Sequence, residues 1–238
     1  MKTQDVTYQD GDLTCIGYLA YDETVQGKRP GIVVVHEAWG LGDHAKERAK
    51  MIAGLGYVGL ALDMYGGRKQ VNDLQEAMGI LGDLRGNPAK LRQRAKAGLK
   101  ALLEQPQVDA GKLGGIGFCF GGTTVLEMAR GGELDAVVSF HGGLETAAPA
   151  QPGAVKAKVL VCTGGLDPMI PDAQIAAFQD EMRKANADWQ VITYGEAKHS
   201  FTNPGARSDL IPGVEYHKPT DERSWKVMKA HFAEVFGR

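Results

Sequence analysis

Cysteine, basic tracts and long apolar runs are all scarce in this chain. Three of its 238 residues are cysteine: Cys15, Cys119 and Cys162. An odd count without metal-ligand spacing argues against a disulfide framework or a cysteine-based zinc site, and fits free thiols in a reducing compartment. The longest apolar run, near "GYVGLAL", is far too short to span a bilayer, and the opening "MKTQDVTYQDGDL" has no apolar h-region. A cytoplasmic protein with no membrane contact is therefore expected. Net charge is −2, and basic residues never gather beyond short clusters such as "GKR", so a nucleic-acid surface is not expected either. Neither G-x-G-x-x-G nor G-x-x-x-x-G-K-[ST] occurs, which leaves dinucleotide and Walker-type phosphate binding unsupported. "HEAWG" opens like the H-E-x-x-H zinc motif, but position 40 is glycine and the second ligand is missing. No metal or other cofactor is expected.

What is present alternates. Residues 6–20 read as a hairpin about an Asp-Gly turn. Strands follow at 31–36, 57–63, 112–118, 135–140, 157–163 and 189–194, where β-branched and apolar runs end in polar residues. Helical spacing fills 43–56, with Asp43 expected as N-cap, and also 88–105, the stretch after 119, 172–186 and 221–236. Residues 64–87 are Gly-rich and irregular, with a short helix through "LQEAMGIL". Eight strands, six of them in a βα series, predict one α/β domain over 1–238: a mostly parallel sheet with helices on both faces and an antiparallel start.

In open α/β sheets chemistry sits just beyond the carboxyl ends of the strands. There the chain places His36, Glu37, Ala38 and Trp39, then Asp63 and Tyr65, then Cys119, His141, Asp167 and finally His199. "GIGFCFGG" has the form of a nucleophile elbow with cysteine in place of serine, and Gly117, Gly121 and Gly122 allow the turn to close. The helix that follows points its N-terminus at the sulfur, which favours the reactive thiolate and offers backbone N–H groups, Phe120's among them, to an oxyanion. Cys15 and Cys162 lie within strand patterns and read as packing thiols. Alone, Asp167 would be a turn residue and His199 a surface histidine. A nucleophile, an acid and a histidine in that chain order form the series of an α/β-hydrolase triad.

With "VVVHEAWGL", "GYVGLALDMYGG", "GIGFCFGG", "GGLDPMIP" and "KHSF" in sequence, the chain resembles the dienelactone hydrolase family, a cysteine branch of the α/β-hydrolase fold, from about residue 8 to 236. The resemblance implies a Cys119–His199–Asp167 triad and a role for Glu37 in controlling the resting thiol. It implies an oxyanion hole from the N–H groups of Ala38 and Phe120, and a pocket walled by Trp39 and Tyr65. Members proper hold a substrate carboxylate with two arginines. Here Asn203 stands where one belongs, and "LQEAMGILGDL" has no basic residue where the other belongs, although Arg68, Lys69 or Arg85 lie near. The expectation is a hydrolase of small neutral esters or lactones, with activated phosphotriesters as a side activity, working as a monomer or small homo-oligomer. The alternatives are a true carboxylate-lactone hydrolase, a non-catalytic binder on the same fold, and a thiol redox protein.

Overall fold

The computed structural model describes residues 1–237. Eight strands form one sheet in the order β1-β2-β4-β3-β5-β6-β7-β8. Two compact units divide the chain, Met1–Ile116 and the residues from Gly117 on.

In the first unit β1 (Lys2–Asp10) and β2 (Leu13–Tyr21) form the antiparallel hairpin, turning at Gly11 with φ 58°. β3 (Arg29–Val35) and β4 (Val58–Leu62) pair in parallel, and every residue of both is buried. That burial explains their uninterrupted apolar runs, since a strand covered on both faces has no solvent side on which to alternate. α1 (Asp43–Gly54) is capped by Gly42, not by Asp43 as its sequence suggests. The Gly42 N–H bonds to the Gly40 carbonyl, so the chain is already turning before Asp43, which becomes the first helical residue. Asp43 still complements the helix dipole from there. Residues 64–87 contain a full helix, α2 (Leu74–Arg85), capped by the Asp73 carboxylate, and α3 (Pro88–Leu103) follows with Pro88 in its first turn.

β5 (Val108–Phe118) begins four residues before the stretch its apolar pattern marks out, because Asp109–Gly111 carry no alternation to read. In the second unit α4 (Phe120–Gly131), β6 (Ala136–Phe140), β7 (Lys158–Gly164), α5 (Asp172–Lys184), β8 (Asp188–Tyr194) and α6 (Lys218–Phe236) complete the βα series. β6, β7 and β8 run parallel in register. β6 is wholly buried, whereas edge strand β8 alternates between half-buried and exposed residues. No helix among the described residues is long and apolar enough to cross a membrane.

Candidate active site

Cys119 stands alone between β5 and α4, with φ 54° and ψ −114°. A side-chain-bearing residue rarely adopts this backbone, and it is held against a cost of about 1–3 kcal/mol. Its N–H is gripped by two acceptors on the next strand, the Phe140 carbonyl at 3.0 Å and His141 Nδ1 at 3.1 Å. The elbow closes so tightly that a Cβ on Gly117 would collide with the Gly121 carbonyl, and one on Gly122 would lie 2.6 Å from Ser139 Oγ. α4 is buried along nearly its whole length. Its first-turn N–H groups open beside Cys119.

Asp167 and His199 belong to the loops after β7 and β8. These loops are laced together by Gly165 N–H to the Tyr194 carbonyl and Leu166 N–H to the Ala197 carbonyl. His199 Nδ1 meets Asp167 Oδ2 at 2.8 Å, and both residues are buried. The other carboxylate oxygen accepts the Met169 N–H at 2.8 Å, so the acid is held from two sides. Burial works against a charge on His199. The Cys119 charge and the hydrogen bond to Asp167 outweigh it and raise the ring to about 10. His199 Nε2 is buried without a close hydrogen bond, although Cys119 lies near enough for its charge to raise the ring. Burial pushes Cys15 up to about 11 and Cys162 up to about 12. They are inert packing groups, as their place in strand patterns suggests.

His141 is a member of this group to which the sequence assigned no role. It is fully buried at the end of β6 with φ 42°. Because Nδ1 accepts the Cys119 N–H, Nε2 carries the proton and donates to Thr202 Oγ1 at 2.8 Å. Its ring also stands edge-on to His199, centroids 5.2 Å apart. One imidazole thus joins the elbow to the loop that bears His199. The signal in the sequence was "SFHGG", a histidine at a strand end before two glycines, one of which, Gly142, packs on Gly122.

The other expected residues lie in the first unit. Glu37 is buried rather than solvated, and its Oε2 lies 3.6 Å from His44 Nδ1. Arg48 Nε donates to His44 Nε2 at 3.3 Å, so the His44 proton faces Glu37. Tyr65 donates its hydroxyl to the Ala38 carbonyl at 2.6 Å. Trp39 is half-buried, and its carbonyl takes the Val71 N–H, which ties the stretch before α2 to this turn. Arg68 is committed elsewhere, to Asp5 and to the carbonyls of Ile16 and Gly17. Lys69 pairs with Glu76, and Arg85 is exposed in the last turn of α2. In the second unit Asn203 uses its side-chain oxygen to accept the Gly205 N–H in a turn. Of the cations flanking it in sequence, Lys198 pairs with Glu215 and Arg207 with Asp209.

An eight-stranded α/β sheet with a strained cysteine elbow and a His–Asp pair on the following loops defines a hydrolase of the α/β class. The chain belongs to the dienelactone hydrolase family, whose model matches residues 16–236. It is 44% identical to the solved structure of a protein called m3DLH, with a TM-score of 0.95, covering 99% of this chain and 98% of that one. A dienelactone hydrolase-like promiscuous phosphotriesterase from metagenomic libraries is 46% identical with a TM-score of 0.93, over the same shares of the two chains, 99% and 98%. A Salmonella typhimurium protein called "Putative carboxymethylenebutenolidase" is 28% identical across 93% of this chain and 83% of its own. The chain is accordingly an ester or lactone hydrolase.

Proposed function

We propose that the chain cleaves neutral carboxylic esters or lactones through a Cys119–His199–Asp167 triad and a thioester intermediate, with both compact units serving one hydrolase domain. One observation carries this reading: Cys119 occupies a strained helix-start position while its charge and Asp167 raise His199 against burial. The Cys119 thiolate attacks the carbonyl carbon. Charge passes to the carbonyl oxygen, where the N–H groups of Ala38 and Phe120 stabilise it. The tetrahedral species collapses, and the leaving alkoxide takes the proton from His199 and departs as an alcohol. The sulfur is then an uncharged thioester, so the Cys119 charge that helped hold the proton on His199 is gone. Burial opposes a charge on the ring, and the neutral imidazole, oriented by Asp167, removes a proton from water. The hydroxide attacks the thioester carbon, the thiolate is expelled, and the acid leaves. Glu37 acts on the resting thiol, and Trp39, Tyr65 and Asn203 line the pocket.

Neutral substrates are favoured because Arg68, Lys69, Lys198 and Arg207 all have carboxylate partners and are not free to replace the two missing arginines. Activated phosphotriesters are a side activity of the same thiolate, in keeping with the relative named as a promiscuous phosphotriesterase. Rapid mixing with p-nitrophenyl butyrate should give a burst of p-nitrophenol and a butyryl mass adduct on Cys119. Turnover of that ester should exceed turnover of a carboxylate-bearing dienelactone. The reverse ratio would favour the reading that the Salmonella relative's name suggests, and binding without burst or turnover would favour a receptor.

The raised value of His199 has a second consequence. Its ordinary value is 6.5 and its folded value about 10, so the protonated ring's contribution to stability is complete below about 6.5 and is lost as pH climbs through about 10. In Cys119→Ala the thiolate charge is absent, and the His199 titration should move down. Imidazole NMR across that pH range reads this directly. An unmoved titration would mean that Cys119 is not the charge that holds the proton.

A further inference from the structure

We propose that His36 is a positioning residue, which orients the Glu37–Ala38 peptide so that the Ala38 N–H is preset to receive an oxyanion. This rests on the reading of Ala38 as an oxyanion donor. His36 follows the last residue of β3 and is almost completely buried. Its sequence context opened like a zinc motif, but both ring nitrogens have partners inside the fold. The Met64 N–H donates to Nε2 at 3.3 Å. Nε2 is therefore bare and Nδ1 carries the proton, which it donates to the Glu37 carbonyl at 2.6 Å. Burial pushes the ring toward its neutral form, the form able to accept from Met64.

The described chain has no cis peptide bond. In a trans peptide the carbonyl and the N–H point in opposite directions. A carbonyl of Glu37 drawn onto His36 thus turns the Ala38 N–H to the other side. The next peptide is held in the same way: Tyr65 donates to the Ala38 carbonyl at 2.6 Å, and its ring meets His36 edge-on with centroids 5.0 Å apart. Tyr65 is itself anchored by Asp63, a fully buried carboxylate that accepts the N–H groups of Tyr65 and Gly66 at 3.1 and 2.9 Å and those of Ile16 and Arg68 besides. These partners meet because β3 and β4 run parallel and in register as far as Val35 opposite Leu62. The two chains then leave the sheet side by side, His36–Ala38 from one and Asp63–Tyr65 from the other. Two successive carbonyls are tied, Glu37's to His36 and Ala38's to Tyr65, which leaves the Glu37–Ala38 peptide little freedom to flip. Preset donors of this kind stabilise a transition state without reorganising at the moment of reaction.

The test compares two reactions of the same thiol. Ester hydrolysis develops an oxyanion, whereas alkylation of Cys119 by iodoacetamide does not. His36→Leu should lower kcat for p-nitrophenyl butyrate by about a hundred- to a thousand-fold, the effect of losing one oxyanion donor. Its alkylation rate at Cys119 should fall far less than its turnover. His36→Asn, whose amide N–H can reach the same carbonyl, should recover most of the loss. Tyr65→Phe should also lower kcat, by less, with alkylation intact; it carries the test if His36→Leu does not fold. Equal losses in turnover and alkylation, or unchanged turnover in folded His36→Leu, would overturn the proposal. Turnover that survives in Cys119→Ala would instead overturn the hydrolytic reading beneath it.

Discussion

Replacing Cys119 with alanine should lower ester turnover by on the order of ten-thousand- to a million-fold, the scale seen when a nucleophile is removed from a working triad. No other thiol can take its place, because burial pushes Cys15 to about 11 and Cys162 to about 12. The residual rate reports what binding and backbone donors achieve without a nucleophile. The acyl adduct should vanish with it, so intact mass and turnover must fall together. Retained turnover would mean that the thiol only packs.

A companion variant separates chemistry from stability. Cys119 is held at φ 54°, where glycine sits without penalty. Cys119→Gly should be as inactive as the alanine variant yet more stable, by about 1 kcal/mol or somewhat more, because the strain is relieved. Alanine keeps the strain and should not show this gain. Thermal melts of the two variants side by side test it. If glycine gave no gain over alanine, the elbow would not be under strain.

Gly117→Ala should do the most damage to the fold around the site. The added methyl would collide with the Gly121 carbonyl, and Gly122 N would lie within 2.7 Å. These are backbone atoms of α4's first turn, and they cannot swing aside as a flexible side chain could. Overpacking of this kind costs about 3 kcal/mol, which for a chain of this size lowers Tm by about 6–12 °C. Turnover should fall as well, since a displacement of about 1 Å at a reacting group can cost a hundred-fold. Gly195→Ala is the control: its added methyl meets nothing within 4 Å, so Tm should hold. A melt that left Gly117→Ala near the native value would show that the elbow can relax.

What is written locally could be read from the residues alone. β3, β4 and β6 were legible because strands buried on both faces read as near-continuous apolar runs without a polar alternation. The hairpin was legible because Asp10-Gly11 marks a turn that needs φ above zero. The elbow was legible because its glycines are a steric requirement of the turn. The order of Cys119, Asp167 and His199 after successive strands pointed to a triad before any distance was known, because a parallel sheet brings its strand ends to one edge.

Only the tertiary structure decided matters that depend on partners far apart in the chain. Arg68 looked available to a substrate until it was found bound to Asp5, 63 residues away. Asp43 looked like a cap until the turn at Gly40–Gly42 placed it inside the helix. His36 and His141 were bare histidines at strand ends until Met64 and Cys119 N–H groups selected their tautomers. A ring nitrogen's proton is set by the hydrogen bond its neighbour supplies, and that neighbour comes from another strand. Local spacing records turns and buried faces, whereas the direction of a proton is recorded only where two strands meet.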